Sequence, residues 1–133
     1  MGEENSEKMV IIDSPLKGVD DYETAMNILY AKACVHDSLL KNELALSPDI
    51  FYAQDDVLDE EIRKEKSLRK KSKLAWQKRA EKIVLYVDRG ISREMNKNLK
   101  IAKEDGKEIE YRNLQNYENF LERAEAVILL KSL

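Results

Sequence analysis

Apolar positions along this chain recur with two periods, and the switches between them outline its elements. Met9–Asp13 and residues 83–87 are short runs with no polar alternation, rich in β-branched and aromatic residues, as in strands covered on both faces. Elsewhere the spacing is helical. Asp20 followed by Glu23 predicts a capped helix start, with Tyr22, Ala25, Met26, Leu29, Ala33 and Leu40 as its apolar stripe and Asn42 at its end. Leu44–Leu46 and residues 50–52 are weaker strand or loop segments on either side of Ser47-Pro48-Asp49. A helix is predicted over about residues 60–79, another from the N-cap Ser92 to about residue 104, and a strand over residues 108–111. Strands alternating with helices imply an α/β fold with a parallel sheet, and the two runs that are apolar on both faces belong at its centre, in the order 2-1-3-4.

The C-terminal segment differs in kind. Phe120, Leu121, Ala124, Val127 and Ile128 make a helical stripe, but Ala126, Leu129 and Leu130 widen it nearly all round. Such a helix packs on its own sheet or is covered by a partner subunit. The expectation is a homo-oligomer, dimer or higher, held through Phe120, Ala124, Val127, Ile128 and Leu129. Residues 1–8 read as a flexible tail, 9–114 as the α/β domain and 115–133 as the added helix.

Charge changes the picture more than composition does. The chain has 133 residues, 43% hydrophobic and 37% charged, which fits one folded domain. Its formal charge of −3 conceals a segregation: residues 1–61 carry fifteen acids and four bases, whereas residues 62–82 carry two acids and ten bases. The middle helix is therefore a basic rod. Read as a solvated face it needs no ligand. Read as a surface, Arg63, Lys66, Arg69, Lys70 and Lys73 would meet an acidic protein partner in preference to nucleic acid, which the overall negative charge disfavours. No apolar run reaches a membrane span and no signal segment is recognisable, so the expected location is cytoplasmic.

Candidate chemistry lies at the strand ends. Ser14-Pro-Leu-Lys17-Gly18 offers a hydroxyl, a cation and a glycine, which could hold a phosphate or simply form a turn, and it is not a Walker loop. Asp88-Arg89-Gly90-Ile-Ser92 ends the second buried run and opens a helix, where free backbone N–H groups gather. The lone Cys34 reads as a buried thiol and His36 as a structural histidine. No metal or cofactor is expected.

Together, Val10-Ile-Ile-Asp-Ser-Pro-Leu-Lys-Gly18, Tyr30-Ala-Lys-Ala-Cys-Val-His-Asp-Ser-Leu39, Tyr52-Ala-Gln54, Val57-Leu-Asp59, Leu74-Ala-Trp76, Asp88-Arg-Gly-Ile-Ser92, Met95 and Glu110-Tyr-Arg-Asn-Leu114 resemble an uncharacterised phage and bacterial family. That family is similar in layout to the nucleoside 2-deoxyribosyltransferases. The resemblance implies a flavodoxin-like (Rossmann-like) doubly wound sheet, with a nucleotide-sized pocket above the first and third strands. It also exposes departures. Asp49 stands where relatives carry histidine, and Lys66, Arg69 and Lys73 where they carry an arginine and two glycines. Glu94 replaces a glycine, and Asn98 replaces the nucleophilic glutamate. A neutral amide can neither attack a sugar carbon nor leave it.

The expected function is accordingly non-catalytic. The chain would be an accessory protein of a phage or mobile element that binds a nucleotide-like ligand or a host protein, an anti-defence role included. Its ligand contacts would be Ser14, Lys17, Gly18, Asp88, Arg89, Gly90, Ser92 and Asn98. The alternative is a nucleoside or nucleotide N-glycosidase or deoxyribosyltransferase-like enzyme, with Glu94 or Asp88 as the catalytic carboxylate.

Overall fold

A computed structural model describes residues 8–54 and 56–132; the tail expected over residues 1–8 lies, apart from Lys8, outside the described residues. The strands β1 (Met9–Asp13), β2 (Leu44–Leu46), β3 (Lys82–Tyr86) and β4 (Glu108–Arg112) form one parallel sheet in the order β2-β1-β3-β4. In register, Ile11 lies beside Leu46 on one side and Ile83 on the other, and Leu85 lies between Asp13 and Tyr111. The helices among the described residues are α1 (Asp21–Leu40), α2 (Pro48–Tyr52), α3 (Arg63–Arg79), α4 (Arg93–Glu104) and α5 (Tyr117–Ser132). This is the α/β architecture and strand order read from the apolar runs.

Alternation along the strands divides the core in two. Val10, Ile12, Val84 and Tyr86 pack with Tyr30 and Cys34 of α1, and Tyr117 and Phe120 of α5 close over them. Ile11, Ile83 and Leu85 point the other way, onto Ala80, Met95, Leu99 and Ala102, with Trp76 of α3 against them. Helices therefore cover both faces, and the central strand residues are completely buried. Each such aliphatic side chain contributes roughly 1.5–3 kcal/mol. Asp13 continues the Ile11 side of β1, so its carboxylate is carried towards α3.

The helix ends follow local chemistry. Asp20 caps α1 by accepting the Glu23 N–H at 2.8 Å, and Asn42, with φ of 63°, turns the chain out of it. Residues 50–52 belong to a helical turn and not to a strand, because Pro48 supplies the fixed φ of a first helical position after the extended Ser47. Helix α3 starts at Arg63, a little later than the expected start near residue 60. Before it, the Val57 and Leu58 amides both reach the Gln54 carbonyl, and the Glu65 carboxylate accepts from the Asp59 amide at 3.0 Å.

Two of the residues expected to hold subunits together are used within the chain. Tyr117 and Phe120 stand edge-on to Tyr30, with centroids 5.8 and 5.7 Å away, and Ala124 is buried. The first half of α5 thus finds its cover on α1. Val127, Leu129 and Leu130 remain exposed and Ile128 half-buried. No helix among the described residues is long and apolar enough to cross a membrane.

Candidate functional site

The order of the sheet reverses between β1 and β3, and in open α/β sheets ligands bind outside the strands' carboxyl ends at such a point. Here that place holds a network of the chain's own charges. Asp13 ends β1, Asp49 lies in the first turn of α2 and Glu94 in the first turn of α4. Arg69 and Lys73, four residues apart on α3, share the face that looks towards them. The Lys73 Nζ donates to Asp49 Oδ2 at 2.7 Å, to Asp13 Oδ1 at 2.8 Å and to Glu94 Oε2 at 3.2 Å. The Arg69 guanidinium donates to both Glu94 oxygens at 2.9 and 3.0 Å, to Glu60 at 2.8 Å and to Asp49.

Both cations are 1% exposed. A buried charge costs several kcal/mol unless it is paired and hydrogen-bonded, which is why two cations are matched by four carboxylates. Burial alone would raise the Glu94 carboxyl; the Arg69 hydrogen bonds and the Lys73 and Arg69 charges outweigh it and hold it down at about 2. Burial lowers Lys73, but Asp13, Asp49 and Glu94 more than offset this and keep it protonated. Asp13 shifts upward, because its burial and the charges of Asp49 and Glu94 together exceed the pull of Lys73.

Over this floor lies a cavity of about 260 Å³. Sites for small ligands usually measure roughly 300–1,000 Å³, so there is room for a part of a nucleotide. Ser14 is part of its wall; only 4% of it is exposed, and its hydroxyl has no hydrogen-bond partner among the described residues. Lys17, Lys66, Lys70 and Arg93 also line the cavity, and none of the four has an acidic partner among the described residues. A network with two more acids than bases is thus surmounted by four unpaired cations.

The residues expected at the site divide accordingly. Ser14, Lys17 and Ser92 line the cavity, Ser92 also capping α4 by accepting the Met95 N–H at 3.2 Å. Gly18 serves packing instead, since a Cβ there would fall 2.5 Å from Glu23 Cβ, and its absence allows the loop to approach α1. Asp88 and Arg89 turn away, to the opposite face of the sheet. The Asp88 carboxylate accepts from the Tyr30 hydroxyl at 2.7 Å and the Leu114 amide at 2.9 Å. Arg89 donates to Asn27 at 2.8 Å and to the Tyr117 hydroxyl at 2.9 Å, tying the start of α5 to α1. Gly90, at φ 87°, makes the turn between strand and helix.

Asn98 is nearly buried one turn after Glu94, with its carbonyl accepting from Gln77 at 3.0 Å, and it is Glu94 that lines the cavity. The basic patch also splits. Arg69 and Lys73 face inward, while Arg63 and Lys70 are exposed and Lys66 is half-buried at the cavity rim. Sequence reasoning missed Asp13 and Glu60 as partners. The available signal was a charged residue closing a buried strand, which demands a counter-ion.

Asp49, Arg69, Lys73 and Glu94 meet in the network together with Asp13 and Glu60. Chemically the arrangement suits holding charge in place. Both Glu94 oxygens already accept from cationic N–H groups, which weakens a carboxylate as a nucleophile. Cys34 is buried with its thiol pushed upward by that burial, and so is unreactive. Among known families, residues 8–112 match the one described as Domain of unknown function (DUF7768), and the chain belongs to that family. No curated protein and no solved structure matches it.

Proposed function

We propose that this member of the family is a non-catalytic binding protein that takes a phosphate-bearing, nucleotide-like ligand by its anionic end. The observation that carries the reading is the ion network at the switch point: Arg69, Lys73 and Glu94 occupy the depth that a nucleoside would need, while Ser14, Lys17, Lys66, Lys70 and Arg93 line what remains. Four cations around an unpartnered hydroxyl favour a phosphate group. The resemblance to the nucleoside 2-deoxyribosyltransferases read from the sequence is what supports the nucleotide part of the ligand, and Asn98, where that resemblance would place the nucleophile, supports binding without cleavage. A role as a phage or mobile-element accessory protein, sequestering such a ligand in the host cytoplasm as an anti-defence device, rests on the family resemblance.

A second reading has its own observation. Arg63, Lys66 and Lys70 lie on the accessible part of α3, where an acidic protein surface could dock. Self-association through the exposed end of α5 is compatible with either.

Calorimetric titration with AMP, ATP and inorganic phosphate tests the principal reading. ATP should bind saturably and more weakly as salt is raised, and a Lys66→Ala, Lys70→Ala double variant should lose roughly tenfold or more in affinity, as when charge-assisted hydrogen bonds are removed. No binding of any of the three, or binding indifferent to the double variant, would refute it.

A further inference from the structure

Three elements bring hydrogen-bond donors to the switch-point cavity. Ser14, which follows β1, is 4% exposed and its hydroxyl has no partner. Among the described residues, the unpartnered side-chain oxygen sealed from the surface is that of Ser47, so the Ser14 hydroxyl opens into the cavity whose wall it forms. Helix α4 begins at the same wall with Ser92, Arg93 and Glu94. The Met95 and Asn96 amides are satisfied by the Ser92 hydroxyl and carbonyl, whereas those of Arg93 and Glu94 have no acceptor among the described residues. Two free N–H groups at the start of a twelve-residue helix carry the positive end of its dipole and suit an anion. From α3, Lys66 and Lys70 add their ammonium groups.

The carboxylates beneath do not cancel this. Both oxygens of Asp49 and of Glu94, and one of Glu60, accept from Arg69 or Lys73. Over the whole cluster, the two buried cations and the four unpaired ones above them face the four carboxylates of Asp13, Asp49, Glu60 and Glu94, which leaves a surplus of two positive charges. A terminal phosphate, held to its ligand through a single oxygen, carries close to two negative charges at pH 7 and has three free oxygens. A phosphodiester has one charge and two free oxygens, as a carboxylate does, and would leave one set of donors and one cation unanswered. We propose that the cavity selects a terminal phosphate over a phosphodiester or a carboxylate, with the α4 amides, the Ser14 hydroxyl and the Lys66 and Lys70 ammonium groups each answering one oxygen. This rests on the anionic-end reading above and adds to it the class of the end group.

Calorimetric titration of the full chain with AMP and with the methyl ester of its phosphate, which differ by one methyl group and one charge, reads that choice. The ester should bind about tenfold or more weakly, the worth of one charge-assisted hydrogen bond. Lowering the pH from about 7.5 to about 5.5, through the second phosphate pKa of about 6, should weaken AMP about threefold relative to the ester. The ester's own charge does not change over that range, so it corrects for any titration of the protein. Ser14→Ala should narrow the gap between the two ligands. Equal affinities would overturn the proposal while leaving the anionic-end reading in place. A gap unmoved by pH or by Ser14→Ala would also overturn it, by showing that the methyl group is excluded for its size alone. Binding of neither ligand would overturn both readings.

Discussion

Two ionic networks of similar make-up lie on opposite faces of the sheet, one around Arg69 and the other around Arg112. Arg112, at the end of β4, donates to both oxygens of Glu43 and of Glu110 and to the Tyr86 hydroxyl, at 2.9 to 3.1 Å. All five guanidinium N–H groups are thereby engaged. Lys82 pairs with Glu110, and the Tyr86 and Ser38 hydroxyls donate to Asp37 and Glu43. This network rests on strand faces, where Lys82, Tyr86, Glu110 and Arg112 cover the sheet in place of apolar residues. Arg69 makes four such bonds and so has one N–H without an acceptor among the described residues. It lies at the strand ends beneath a cavity lined by unpaired cations. The same residue types therefore serve different ends, and it is their place in the topology that separates a cover from a site.

Removing each arginine in turn should separate the two networks by stability. Arg69→Ala leaves Asp13, Asp49 and Glu94 around a single lysine and takes away the Glu60 partner, and it should cost about 3–5 kcal/mol, as loss of one partner of a buried pair does. Urea unfolding measures it; a cost under about 1 kcal/mol would mean that the network is hydrated. Arg112→Ala should cost less, about 2–3 kcal/mol, because the Glu110 side chain is already 39% exposed and Lys82 stays beside Glu43 at 3.8 Å. Reversal of that order would show that burial does not distinguish the two.

Acid sharpens the contrast. Glu94 and Glu110 are both held at about 2, against 4.5 for an unperturbed glutamate. A carboxyl depressed by folding contributes stability that is fully present above its unfolded value and lost as the pH falls through its folded one. The unfolding midpoint should therefore drop between about pH 4.5 and 2, and Glu94→Gln and Glu110→Gln should each shallow the decline. Asp13, shifted upward, works in the opposite sense, so Asp13→Asn should steepen it. A midpoint flat across that window would count against both networks.

The smallest effect belongs to the exposed end of α5. Leu130→Glu should change stability by no more than about 0.5 kcal/mol, as at an ordinary surface position, while dissociating the proposed homo-oligomer in sedimentation at micromolar concentration. A wild-type chain sedimenting as a 15.5 kDa monomer would remove that proposal.

How much of this was legible in the chain follows from range. The two buried central strands, the Asp20 and Ser92 caps and the order of the sheet are written in local runs and periods. The α2 turn was obscured because its three apolar residues, 50–52, suit a strand as well as a helix until Pro48 is given its first-turn role. The direction of Arg69 and Lys73 was hidden for a different reason. Cations stand on most sides of α3, so no stripe marks its inner face. The carboxylates that draw these two inward sit at positions 13, 49, 60 and 94, up to 60 residues away in sequence. Only the closed sheet brings them together. Asp88 and Arg89 were misplaced by the same limit: their partners Tyr30, Asn27 and Tyr117 come from helices on the other face.

The proposed non-catalytic role requires the switch-point pocket to leave glycosidic bonds intact. Incubating the full chain with a panel of nucleosides, nucleotides and dinucleotides, and measuring free base by chromatography, tests it most directly. Base release should be indistinguishable from buffer, for the wild-type chain and for Glu94→Gln alike. Release that proceeds with turnover and disappears in Glu94→Gln would contradict it, by showing that the carboxylate clasped by Arg69 and Lys73 is a nucleophile after all.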